Sequence, residues 1–230
     1  KHPLKTDYET IVVGIDINSL IEQGHLARPI YYSPDTGLDK KQIKKTGGDY
    51  NLQSLSQEFS KPKLIDAVVD NYEKFVKGKK IIVFNTTIEH STMVHDCFKS
   101  RGYNSRLLDS NFSNDNRKET LDWLRSTPDA ILNNVGILTT GFDEPSINGL
   151  IFNRSTKSLP LWLQCAGRGA RPYPGKEFFV LIDLGDNIQG EGHGYWNHKH
   201  DWHDLFHHPE KSGEGVAPMK ECPGCEKFIY

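Results

Sequence analysis

The chain of 230 residues has no run of about 18 consecutive apolar residues, only four cysteines, and no surplus of charge: 28 Lys+Arg stand against 30 Asp+Glu for a net charge of −2. The missing apolar run excludes a membrane-spanning helix, and Lys1–Thr10 lack the apolar core of a signal peptide. The missing positive charge excludes binding of nucleic acid by a bulk basic field, so any such contact must be local. Charge varies along the chain: residues 1–60, 61–190 and 191–230 sum to −1, +2 and −3. A chain of this size forms a core without disulfide staples, and 36% apolar with 10% aromatic residues excludes disorder.

The four cysteines divide into two kinds. Cys97 and Cys165 stand alone inside periodic segments and read as small core residues. Cys222-Pro-Gly-Cys225 has the spacing of half a Zn2+ site, which needs four ligands when tetrahedral. Six of the ten histidines (His193, His198, His200, His203, His207, His208) lie between Glu191 and Pro209, beside Trp196 and Trp202. Two readings stay open: a Cys2His2 zinc site, or a solvent-exposed polar segment with a partly built zinc knuckle. The start reads as internal, with no initiator Met and a strand-like run at Ile11–Ile15, and the C-terminus reads as clipped.

Residues 33–60 are polar and carry Lys40, Lys41, Lys44 and Lys45 before Gly47-Gly48, the composition of a loop or linker. Its lysines suit either a phosphate backbone or a solvated loop face. From Lys61 the pattern becomes regular. Apolar residues from Leu64 to Val76 have helical spacing and stop at Gly78, and Ile81–Phe84 is an apolar run of the kind buried on both faces of a sheet. Helix patterns at Thr87–Ser100, Asp115–Arg125 and Leu159–Ala166 alternate with strand patterns at Ser105–Leu108, Ala130–Asn133, Leu150–Phe152 and Phe178–Ile182. This alternation predicts an α/β fold with a parallel sheet flanked by helices.

Ligands of such sheets are expected at the carboxyl ends of the strands, and two loops stand out. Leu138-Thr139-Thr140-Gly141-Phe142-Asp143-Glu144-Pro145 offers hydroxyl and backbone donors to a phosphate and an acid to a ribose hydroxyl. A capped turn is the alternative reading. Gln164-Cys165-Ala166-Gly167-Arg168-Gly169-Ala170-Arg171 sets two arginines three apart, so both forks can reach one polyanion. A surface salt-bridge pair is the alternative there.

Taken together, TTGFD followed by QCAGRGAR resembles motifs V and VI of superfamily 2 helicases, and Ile81–Asn85 with Thr86, Thr87 and His90 resembles motif IV. Within that superfamily, Leu20–Leu26, Gly48-Asp49-Tyr50, TTGFDEP, Arg154–Leu163, QCAGRGARPYPGK and Asp183–Gly194 resemble the RadD-type DNA-repair helicases of bacteria and phages. The resemblance implies a RecA-like second motor domain over residues 61–190. An entry segment with an edge strand and lysine-rich loop (1–60) would precede it, and a His-rich tail with half of a zinc ribbon (191–230) would follow.

The resemblance also implies roles. Arg168 and Arg171 would reach the γ-phosphate of ATP that is held, with Mg2+, by an N-terminal RecA-like domain of the same protein, and Gln164 would couple nucleotide to nucleic acid. Asp143, with Gly141 and Gly167, falls on the nucleotide side. Thr139, Thr140 and Gly141, with Thr86 and Thr87, would follow the phosphates of DNA without reading sequence, and His90 either joins them or is a helix-surface histidine. Cys222 and Cys225 would bind zinc. The cytoplasm of a bacterial or phage-infected cell would be its location. The sequence contains no G-x-x-x-x-G-K-[ST], the loop that cradles β- and γ-phosphates, so this chain alone is expected to be inactive toward ATP. Two other classes remain: the motor of a restriction-type translocase subunit, and a non-catalytic nucleic-acid-binding module.

Overall fold

Ile81-Ile82-Val83-Phe84 is a tetrapeptide without a polar side chain, and it forms strand β4 (Ile81–Phe84) with all four residues buried. The computed structural model describes residues 7–136, 143–189, 192–208, 220–221 and 228–229. In it β4 lies inside a six-stranded sheet with β1 (Arg28–Tyr32), β5 (Ser105–Leu108), β6 (Ile131–Asn134), β7 (Gly149–Phe152) and β8 (Phe178–Asp183). The order is β1-β8-β7-β4-β6-β5 and every neighbouring pair is parallel.

Strand side chains alternate between faces, and the two cores follow that period. Ile82, Phe84, Leu132, Leu150, Phe152 and Leu181 face α5 (Asn114–Ser126) and α6 (Leu159–Ala166). Ile81, Val83, Ile131, Ile151, Val180 and Ile182 face α3 (Pro62–Phe75) and α4 (Ile88–Ser100). Helices on both faces explain why these strands read as continuous apolar runs. The expected α/β sheet is thus present, and each helix and strand pattern from Leu64 to Ile182 lies within two residues of an observed element.

Three expectations outside that span are corrected. Ile11–Ile15 is not a strand: Val12 is 92% and Ile15 65% exposed, and the run has no sheet partner. The sheet edge is taken instead by β1, which pairs with β8 alone. Pro29 is tolerated there because an edge strand needs hydrogen bonds on one side only.

The 33–60 segment is not simply a loop. After α1 (Ile17–Glu22) and β1 it contains a 3-10 turn (Lys40–Gln42), a hairpin of β2 (Lys45–Thr46) and β3 (Asp49–Tyr50), and α2 (Leu52–Phe59). Gly47 and Gly48, both with positive φ, make the two-residue turn that fits the twist of a hairpin. Ile43, Leu55 and Phe59 form a small core of their own.

Among the described residues of the tail, 192–208 are not a solvent-exposed polar segment either. Tyr195 and Trp196 enter the main core, with the Tyr195 ring 4.5 Å from that of Tyr31, and α7 (Trp202–His207) follows. Cys222 and Cys225 lie outside the described residues, between β9 (Lys220–Glu221) and β10 (Phe228–Ile229), which pair antiparallel.

Candidate functional site

Helix α6 ties the two edges of the sheet together. Ser158 caps its first turn by accepting from the Leu161 amide at 3.4 Å, and Trp162 anchors it, fully buried with its ring edge-on to Phe152 at 5.1 Å. The chain enters α6 from the carboxyl end of β7 and runs back against the strands. Its far end therefore lies at the amino edge of the sheet. The Ala27 amide, just ahead of β1, donates to the Ala170 carbonyl at 2.7 Å, and Gly169 lies against Phe179 near the start of β8. Arg168 and Arg171 thus stand at the amino edge, not at the carboxyl ends of strands. The reason is that their loop follows a helix rather than a strand.

Arg171 is ion-paired with Asp143, so the structure joins the acid of one sequence motif to an arginine of the other. Burial, and next the nearby Arg171, lower the pKa of Arg168, the electrostatics of a positive site that gains from an incoming anion. Gln164 is exposed on α6 and Gly167 is its C-cap residue. Glu144 is buried, accepts from the Ser146 amide at 3.2 Å and lies 3.9 Å from the buried Lys80 ammonium. It is a structural acid.

At the carboxyl edge, Thr86 and Thr87 follow β4. Thr86 is buried and its hydroxyl pairs with His90 Nδ1 at 2.8 Å, so its side chain faces inward. Thr87 is partly exposed; its hydroxyl caps α4 by accepting from the His90 amide at 3.3 Å and also meets Ser56 Oγ at 2.8 Å. His90 is not a helix-surface histidine. It is fully buried, with Nε2 3.2 Å from Asn153 Nδ2, and Asn153 donates to Asn85 Oδ1 at 2.9 Å. One histidine in a helix pattern gives no sign of this, because its partners Thr86 and Asn153 follow two separate strands.

Burial lowers the His90 pKa to about 3 from 6.5. The unfolded chain therefore takes up a proton below pH 6.5 that the folded chain refuses until about pH 3, and stability falls with pH across that window. Between pH 7 and 5 the expected loss from His90 is about 2 kcal/mol, at roughly 1.4 kcal/mol per pH unit below 6.5. His90→Gln should remove this dependence. Urea unfolding at both pH values checks it: the variant's pH 7-to-5 change should differ from wild type by about 2 kcal/mol toward acid resistance.

Sequence reasoning missed the junction that sets the start of α6. The Thr156 hydroxyl donates to Asp49 Oδ2 at 2.8 Å and accepts from the Ser158 amide at 3.0 Å. The Thr156 amide donates to Asn187 Oδ1 at 2.9 Å, its carbonyl lies 2.9 Å from His193 Nε2, and the Lys157 amide donates to Asp49 Oδ1 at 2.7 Å. Two distant segments thus converge on one turn. Asn187 is in turn held by Asp183, whose carboxyl burial pushes up to about 6 while donors from Gly185, Asn187 and Ile188 favour its ionised form. The sequence signals of this junction are the Gly48-Asp49-Tyr50, Arg154–Leu163 and Asp183–Gly194 stretches, which carry its residues without showing that they meet.

Thr139, Thr140 and Gly141 lie outside the described residues. Among the described residues no group of three or more His, Cys, Asp or Glu side chains could hold a metal ion, and no helix is long and apolar enough to cross a membrane.

Comparison with known proteins gives a consistent picture. Residues 61–173 match the helicase conserved C-terminal domain family. A 51.5 kDa protein of a Lactococcus phage is 30% identical over 224 residues, 96% of this chain and 48% of the relative. A Saccharomyces cerevisiae protein named as an ATP-dependent helicase, IRC3, is 27% identical over 187 residues, 80% of this chain and 27% of the relative. A solved fragment of an HsdR subunit of a type I restriction enzyme from Vibrio vulnificus shares the fold, with a TM-score of 0.55 at 20% identity over 72% of this chain and 33% of that one. The chain spans about half the length of the phage relative and about a quarter of the yeast one.

Proposed function

Because the chain carries the C-terminal domain of a superfamily 2 helicase, we propose that it is one half of an ATP-driven DNA motor, acting in repair or recombination. The observation that carries this reading is the turn at the amino edge, where Arg168 and Arg171 lie beside Asp143. The 230 residues contain no loop to hold the β- and γ-phosphates. An N-terminal RecA-like domain of the same protein would hold ATP, and closure of the two domains would bring both arginines to phosphates already in place. Arg171 would then exchange the Asp143 carboxylate for phosphate oxygens, and Asp143 would turn toward the ribose. The arginines neutralise charge that builds on the transferred phosphoryl group.

The Mg2+ that accompanies ATP supplies further neutralisation of the phosphates. The adjacent acids Asp143 and Glu144 are not offered to it, since Glu144 is enclosed with Lys80 and Ser146 and Asp143 holds Arg171. Its ligands would come from the N-terminal domain. Gln164, exposed on the helix that joins the two edges, would couple the state of the nucleotide to the strand. Thr87, at the carboxyl edge, would follow DNA phosphates together with Thr139, Thr140 and Gly141. A zinc site at Cys222 and Cys225 rests on their spacing alone, and no step of the mechanism passes through it.

The isolated chain is expected to bind ATP with a dissociation constant of about 1 mM, near −4 kcal/mol, because most phosphate contacts lie elsewhere. Isothermal titration with a non-hydrolysable ATP analogue checks this, and a micromolar constant contradicts the half-site reading.

A further inference from the structure

The segment from 33 to 60 lies on the carboxyl edge of the sheet, where Lys40 meets Asp186 beyond β8 at 2.7 Å, Asp49 holds Thr156 beyond β7, and Ser56 meets Thr87 beyond β4. There it forms a cleft of about 550 Å3 lined by Lys40, Lys41, Ile43, Lys45, Tyr50 and Asp186. A fourth ammonium, that of Lys157, lies 6.0 Å from the centre of the Tyr50 ring. Two acids are nearby. Asp186 is bound by Lys40, and both oxygens of Asp49 accept from Thr156 and Lys157 backbone or hydroxyl donors. Among the described residues Lys41 and Lys45 have no carboxylate partner, and both are exposed.

We propose that this lysine cleft seats the sugar–phosphate backbone of single-stranded nucleic acid, extending across β8 and β7 the track that Thr87 begins beyond β4. The inference rests on the motor reading and names a contact surface that reading does not contain. The geometry favours a linear polyanion over a small phosphate. The ammonium groups are distributed along a turn and a hairpin rather than converging on one point, and lysine acts on phosphates as a point charge without the bidentate fit of arginine. The carboxyl ends of β8, β7 and β4 are successive neighbours in the sheet, so the cleft and Thr87 are separated by about 10 Å at roughly 4.8 Å per strand. The same hairpin carries Asp49, so the seat is fastened to the entry of α6. That helix spans about 12 Å at 1.5 Å per residue and ends at the arginines. A strand in the cleft would thus bear directly on the element that presents them.

The test is fluorescence anisotropy of a labelled oligothymidylate titrated with the 230-residue chain over a range of salt concentrations. Lys41→Glu with Lys45→Glu should weaken binding at least 10-fold. It should also reduce the slope of log affinity against log salt by about 1.4, two phosphate contacts at about 0.7 each for single strands. The milder pair Lys41→Ala and Lys45→Ala should lose several-fold, which guards against a folding defect in the charge reversal. The same reversal at Lys77 and Lys79, at the amino edge just before β4, should leave affinity within about twofold. Wild-type affinity retained by the alanine and glutamate pairs overturns the seat while leaving the motor reading intact. So does an equal loss in the Lys77 and Lys79 control. No binding by the wild-type chain overturns the seat and the nucleic-acid part of the motor reading together.

Discussion

Replacing Arg168 by alanine in the chain joined to its N-terminal motor domain is expected to lower kcat for ATP hydrolysis by about 10³-fold or more, the range of an arginine finger. The loss should fall on kcat with little change in KM, because the guanidinium meets phosphates only after the domains close. Arg168 sits at the end of α6 and is not part of either face of the sheet core. Its removal should leave the unfolding temperature within a few degrees, which separates a chemical defect from a folding one. Arg171→Ala should also cost turnover, with an additional signature. It leaves Asp143 without its cation, so a carboxylate then faces incoming ATP and KM rises as well. Steady-state kinetics on the two variants distinguishes these patterns. Unchanged kcat in Arg168→Ala would favour a module whose arginines take no part in chemistry.

The second large effect is expected at Gly169, between the two arginines. A Cβ there would lie 2.3 Å from Phe179 Cδ2 and 2.8 Å from Cε2. Phe179 has no room to retreat, since it is fully buried and edge-on to Trp196 at 6.0 Å. Either the ring or the arginine turn must move. Overpacking of this kind costs about 1–3 kcal/mol, or roughly 2–12 °C in Tm for a chain of this length, and turnover should fall with it because the turn carries both arginines. Gly14→Ala serves as the control: its Cβ would meet nothing within 4 Å. Calorimetry of both variants checks the pair. A Tm for Gly169→Ala indistinguishable from wild type would show that the turn does not pack as described.

Why the arginine motif reads so clearly in the sequence, while the machinery that positions it does not, follows from where each contact lies along the chain. Strands β4 to β8 and their helices are legible because each announces itself locally, in an apolar run or a 3.6-residue period followed by a stop. Strand β1 is not, because Arg-Pro-Ile-Tyr-Tyr is held by pairing with β8 about 150 residues later. Tyr195 and Trp196 look like part of a polar, His-rich tail until the core that receives them is assembled. The hairpin at Lys45–Tyr50 hides behind its lysines, since of its small core Leu55 and Phe59 belong to the following helix and only Ile43 precedes it.

The site shows the same division. Gln164, Arg168 and Arg171 come from one short segment, so their chemistry is visible in the order of letters. Their placement at the amino edge depends on the direction in which α6 runs, which residue types do not encode. Asp49 from one segment and Asn187 with His193 from another meet at Thr156, and only the folded chain brings them together. His90 shows the reverse error. A histidine at the start of a helix pattern reads as a surface group, whereas the three-dimensional position encloses it among Thr86, Asn153 and Phe59.

This chain is proposed to complete an ATP site held by another domain. The direct measurement is steady-state ATP hydrolysis, with single-stranded DNA present, by the chain alone and by the chain joined to its N-terminal motor domain. The expected result is no turnover above background for the chain alone and turnover on joining, abolished by Arg168→Ala. Hydrolysis by the 230-residue chain alone at a rate close to that of the joined protein would contradict it.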